Sequence, residues 1–110
     1  MGKVRRTNII LHGKAIEIWK KIPYGYRKKF LDEALDKYVN KFEEVKWQLM
    51  KLAGKMKKST AISIDENLMN KLDKIPRGMK GLMVSYAIIK YYEEVFGEEE
   101  EEAEEDKITI

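Results

Sequence analysis

The sequence has no cysteine, one histidine and two prolines. Without cysteine there is neither a disulfide framework nor a Cys-based zinc site. No apolar run is long enough to cross a bilayer, so no membrane partner is expected. The opening MGKVRRTNIILHGK joins basic residues to an apolar segment too short for a signal peptide. The expected location is the cytoplasm, that of the host if the chain is viral. There is no Gly-rich phosphate loop after a strand, no carboxylate pair in a cleft pattern and no metal-ligand spacing. His12, at a strand–helix junction, has no convincing catalytic partner. The expectation is a chain that is not an enzyme and takes no cofactor, metal or small-molecule substrate. Asn and Gln are also scarce, and scarcity of labile residues beside high charge fits a hot habitat.

What is present is 44% hydrophobic and 37% charged residues in a chain of 110, the composition of a folded globular protein. The net charge of +3 hides a division. Glu98 to Glu102, Glu104, Glu105 and Asp106 against Lys107 give residues 97–110 a net charge of −7, which leaves +10 on residues 1–96. A basic body with an acidic tail suits a polyanionic partner, although plain solubility accounts for the same totals.

The chain also repeats itself. IPYG at residues 22–25 returns as IPRG at 75–78, an offset of 53. At that offset, residues 7–42 lie on residues 60–95 without a gap, and nine of the 36 positions are identical. Such repeats mean one supersecondary unit made twice. Each unit opens with alternation: Ile62 and Ile64 inward with Ser59, Ala61 and Ser63 outward, and Ile9 and Leu11 inward with Arg6, Asn8 and Ile10 outward, the period of a half-buried strand. A short helix follows, with Ala15, Ile16, Trp19 and Ile22 matching Leu68, Met69, Leu72 and Ile75 on one face. Asp65 is its N-cap in the second unit, and His12 or Gly13 takes that place in the first. Pro23 and Pro76 end these helices, and Gly25 and Gly78 are expected to permit the tight turn after them. A long helix comes next, with Phe30, Leu31, Ala34, Leu35, Tyr38, Val39 and Phe42 as its buried stripe, continuing through Val45 and Leu49 to about Leu52. Its counterpart buries Met83, Val84, Ala87, Ile88, Tyr91, Tyr92 and Val95.

A lone strand leaves unpaired edges, so the two strands are expected to pair. The predicted fold is mainly α: two tandem units, residues 1–53 and 54–97 with one joint core, forming an intramolecular pseudo-dimer with a two-stranded antiparallel ribbon over four helices. Residues 98–110 form the acidic tail. A dyad between Asn8 and Ala61 sets Arg6 beside Ser63 and Ile10 beside Ser59.

The two strands Asn8–Leu11 and Ala61–Ile64, the two Pro-x-Gly turns, and Ala34-Leu35-Asp36-Lys37-Tyr38 with Ala87-Ile88-Ile89-Lys90-Tyr91 resemble the ribbon-helix-helix family of DNA-binding repressors, of the MetJ and Arc type. The tandem form is similar to regulators of archaeal viruses. The resemblance implies a regulator of transcription whose partner is double-stranded DNA, with the ribbon in the major groove. It implies Arg6, Asn8, Ile10, Ser59, Ala61 and Ser63 as base readers. It also implies phosphate contacts at the starts of the long helices, at Tyr26, Arg27 and Lys28 and at Met79, Lys80 and Gly81, with Arg5 and Lys58 on the strands, because a helix start binds anions. The unlike reader sets predict a DNA site that is asymmetric at its centre. Leu82, Tyr86 and Ile89 form an apolar stripe outside the core set, where the first unit has Lys29, Glu33 and Asp36. Two occupants fit it: a second copy of the chain on DNA, or the tail end Ile108-Thr109-Ile110. Two other functions fit the same chain, a nonspecific protein that coats DNA by polymerising, and an antitoxin-type module whose tail captures a protein.

Overall fold

A computed structural model of the chain describes residues 3–97; the acidic tail, including Ile108-Thr109-Ile110, lies outside the described residues. Strands β1 (Val4–His12) and β2 (Lys57–Asp65) pair antiparallel. Arg6 stands opposite Ser63, Asn8 opposite Ala61 and Ile10 opposite Ser59, as expected from the sequence. Side chains alternate across a strand, so Ile9, Leu11, Ile62 and Ile64 enter the core while Asn8, Ile10, Ser59 and Ala61 face solvent.

Helix α1 (Lys14–Lys21) follows β1. Its N-cap is Gly13, with φ +60° and no side-chain cap; that left-handed backbone favours glycine and lets the Gly13 N–H donate to Met56 O at 2.8 Å. Helix α4 (Glu66–Leu72) is capped by Asp65, whose carboxylate accepts from the Asn67 N–H at 3.0 Å. The remaining helices are α2 (Tyr24–Tyr38), α3 (Phe42–Leu52) and α5 (Lys80–Phe96), with 3₁₀ turns at Val39–Lys41 and Arg77–Met79.

These elements correct the expected fold. In place of two tandem ribbon-helix-helix units over four helices, there is one ribbon, to which each half supplies a single strand, followed by helices. The first long helix is also two helices. The 3₁₀ turn at Val39–Lys41 separates α2 from α3, and α3 packs on α5 with Val45 and Leu49 buried. The glycines of the two turns are used differently than expected as well. Among the described residues positive φ occurs only at Gly13 and Gly97, and Gly25 lies inside α2 with open space around it.

One core takes side chains from both halves, and its ends are fastened by two equivalent bonds. The His12 N–H at the end of β1 donates to Ser85 Oγ on α5 at 2.8 Å, and the Asp65 N–H at the end of β2 donates to Asp32 Oδ1 on α2 at 3.0 Å. His12 and Asp65 correspond at the offset of 53, as do Asp32 and Ser85. Each strand end is therefore tied to the long helix of the other half. Ser85 passes its own proton to Gly81 O at 2.7 Å. Gly81 itself lies so near β1 that a Cβ there would sit 2.3 Å from Ile10 O.

Two outcomes follow from this packing. Gly81→Ala forces α5 off the ribbon and lowers stability by about 1–3 kcal/mol, whereas Gly25→Ala raises it by roughly 0.4–1 kcal/mol; urea melts of both variants check the pair. His12 is buried, its Nδ1 has no partner among the described residues, and burial followed by the Lys57 ammonium lowers its pKa below 6.5. The unfolded chain then binds the proton more readily than the folded one, so stability present above pH 6.5 falls as the pH drops below that value. In His12→Asn that part of the pH dependence disappears, measured by melts across the same range.

Candidate nucleic-acid interface

The solvent face of the ribbon is short and polar. Arg6, Asn8 and Ile10 on β1 are exposed, as are Ser59 and Ala61 on β2, while Ser63 is half-buried. Ile10 keeps 47% of its surface exposed, which for an isoleucine on an otherwise polar face leaves a methyl-sized apolar contact available. The core side of the same strands fixes this face, because slipping the register by one residue would exchange the two sets.

The flank beside β2 is an open groove. Arg6, Lys20, Arg27, Lys58 and the β2 segment Ser59–Ala61 line a cavity of about 480 Å³. A second of about 200 Å³ continues past Lys28 to Ser63. Arg27 is built into the wall: its Nε–H donates to Ile22 O at 2.9 Å, closing the end of α1. Its guanidinium lies 4.1 Å from the ring centre of Tyr24 and 5.3 Å from that of Trp19, a cation–π arrangement. Tyr24 is 86% exposed. Lys28 pairs with Asp32 Oδ2, and Lys20 lies 3.7 Å from Glu17. Among the described residues Arg6, Arg27 and Lys58 have no carboxylate partner.

The flank beside β1 is closed. There α5 rests on the strand at Gly81, and the cations are held by Asp73, whose carboxylate accepts from Lys80 Nζ at 3.0 Å and lies 3.6 Å from Arg5. The Lys80 hydrogen bond is the largest influence on this carboxyl; desolvation, next in size, opposes it, and the charges of Lys80 and Arg5 join the hydrogen bond in holding the group below its ordinary range. Neither α2 nor α5 has an acidic residue in its first turn, so no carboxylate within either helix offsets the dipole at its start.

Several residues expected at phosphates have other work. The Tyr26 N–H donates to Pro23 O at 2.9 Å and the Met79 N–H to Pro76 O at 2.8 Å, so neither is a free donor. Helix α2 begins two residues before Tyr26. The Tyr26 ring packs edge-on against Phe30, and Gly81 serves the contact with Ile10. The expected self-association stripe is covered in part. Leu82 is 4% exposed within the core, and Tyr86 and Ile89 are partly buried against it, with Tyr86 edge-on to Tyr38. A buried leucine contributes roughly 1.5–3 kcal/mol, while Tyr86 and Ile89 keep part of their surface exposed. Exposed apolar surface stands instead on α3, where Trp47 is 76% exposed and borders a cavity of about 250 Å³ with Lys46, Met50 and Met79.

Lys20, Trp19, Tyr24 and Asp73 were not singled out by sequence as site residues. Lys20 and Asp73 are counterparts at the offset of 53, so comparing charge as well as hydropathy across the repeat would have found them. The chain matches no family model, no curated protein and no solved structure.

Arg27→Ala removes a charged donor from Ile22 O and the stack between two rings. The expected loss of stability is about 1.5–3 kcal/mol, read from the urea midpoint.

Proposed function

We propose that the chain binds double-stranded DNA with its ribbon in the major groove, as a sequence-specific regulator of transcription of the ribbon-helix-helix kind. The observation that carries this reading is the alternation on the paired strands. Arg6, Asn8 and Ile10 face solvent beside Ser63, Ala61 and Ser59, while the opposite side is held by core isoleucines and leucine. A two-stranded ribbon fits the major groove, where each base pair shows its own donor, acceptor and methyl pattern. Arg suits guanine, Asn suits adenine, and Ile10 suits a thymine methyl. The cations of the β2 flank suit the phosphates that border the groove on that side. The reading includes no catalytic step. The alternative of a coat that polymerises through Leu82, Tyr86 and Ile89 has only Tyr86 and Ile89 to offer a second copy, since Leu82 is buried in the core.

Selection of duplexes from a random library at moderate salt tests this. The expected product is a short enriched motif, asymmetric at its centre because Asn8 stands opposite Ala61. In Asn8→Ala the preference at one position relaxes, at a cost of about 1–3 kcal/mol. Retention without a motif would remove base reading and leave a nonspecific DNA-binding protein; no retention would remove DNA as the partner.

A further inference from the structure

The repeat allows the two flanks of the ribbon to be compared position by position, and they are unlike in both shape and charge. At the offset of 53, Lys20 corresponds to Asp73, Arg27 to Lys80, Lys28 to Gly81, Lys58 to Arg5, and Arg6 to Ser59. The flank made by α1, α2 and β2 brings Lys20, Arg27, Lys28 and Lys58 to its groove, joined by Arg6 of β1, with Lys20 near Glu17 and Lys28 paired with Asp32. The flank made by α4, α5 and β1 brings Arg77, at the counterpart of Tyr24, and a carboxylate set against two further cations, Arg5 and Lys80. That carboxylate is placed between both of them, 3.0 Å from Lys80 and 3.6 Å from Arg5. Shape follows charge. Gly81 allows α5 to close on Ile10, whereas Lys28 keeps its side chain between α2 and Ser63, beside an open groove of about 200 Å³ that joins the larger one.

We propose that the chain grips nucleic-acid phosphates from one side: the groove lined by Arg6, Lys20, Arg27 and Lys58 is the dominant phosphate site, and Asp73 holds Arg5 and Lys80 back from phosphate on the opposite flank. The proposal rests on the DNA-binding reading above and refines it. A phosphate entering the β2 flank meets cations of which Arg6, Arg27 and Lys58 have no carboxylate to leave, and Arg27 is already oriented by Ile22 O and by the rings of Trp19 and Tyr24. A phosphate approaching Arg5 and Lys80 on the β1 flank must first displace Asp73, and where α5 meets Ile10 there is no space for it to sit. Asp73 is thus a specificity-determining residue that acts through Arg5 and Lys80. It sets which side of the ribbon carries the counterion release that dominates salt dependence.

The test compares positions outside the core, so that folding is preserved. Affinity for a fluorescent duplex of roughly two helical turns is measured against salt concentration for the full chain and three variants, each checked by its melting curve. Each phosphate contact contributes a slope of about 0.9 in the logarithmic salt plot. Lys20→Ala with Lys58→Ala is expected to reduce the slope by about 1.8. Arg5→Ala with Lys80→Ala, which removes the same number of charges, is expected to leave the slope within about half of one contact. Asp73→Asn is expected to steepen the slope by about one contact and to tighten binding, because it releases the two cations. Equal slopes for the two double variants, or an unchanged slope in Asp73→Asn, would overturn one-sided gripping while leaving DNA binding in place. Failure of the unaltered chain to bind the duplex even at low salt would overturn both.

Discussion

The arrangement depends on a pair of exchanged fastenings. At the end of each strand a backbone N–H, from His12 or Asp65, donates to a side chain on the long helix belonging to the other half, Ser85 or Asp32. A buried N–H that lacks a partner costs free energy comparable to a lost hydrogen bond, so these two bonds fix where each strand stops and which helix it stops against. With both strand ends placed, the pairing of Asn8 with Ala61 follows, the inward isoleucines meet the helices, and the polar face is left to solvent. The two fastenings differ in chemistry. Ser85 is neutral, buried, and spends its proton on Gly81 O. Asp32 is charged and half-exposed, and it divides its two oxygens between Asp65 and Lys28.

That difference runs on into the flanks. Because Asp32 holds Lys28, a long side chain stands beside β2 where glycine stands beside β1. One helix start is accordingly separated from the ribbon by a groove, and the other is pressed against it. The groove then exposes the stacked Trp19, Arg27 and Tyr24, which combine a structural bond to Ile22 O with a charged edge. On the pressed side, Asp73 compensates the nearby cations at short range. A chain whose residues 1–96 are strongly basic in total is therefore uneven in where that charge is available.

Much of this was legible in the sequence, and the misses share a cause. The strands, their inward residues, their register and the Asp65 cap are set by neighbours in the chain or by a period of two, and these appear as patterns. The break after Tyr38 is not a local event. Nothing between Val39 and Lys41 forbids a helix, and the turn is favoured only because α3 gains a surface on α5. The stripe of Leu82, Tyr86 and Ile89 was assigned to the outside because its contacts, such as Tyr86 with Tyr38, join residues far apart in the chain. Gly81 looked like part of an anion-binding start, but its lack of a side chain serves close approach to Ile10. Tyr26 and Met79 looked like free donors, but each first turn closes on the proline before it. Side-chain partners across long sequence separations are invisible to periodicity, and the electrostatic contrast between Lys20 and Asp73 became meaningful only once both were seen beside the ribbon.

The joining of β1 and β2 in one polypeptide has a consequence for how the ribbon depends on concentration. A ribbon assembled from two separate chains exists only above the dissociation constant of the pair, and its abundance varies with the square of chain concentration when the pair is dilute. Here the second strand is present at a fixed effective concentration set by the connecting helices. Every folded molecule carries a finished ribbon, and the number of ribbons rises linearly with the number of chains down to the lowest dilution. Any response that the ribbon produces therefore begins without a threshold.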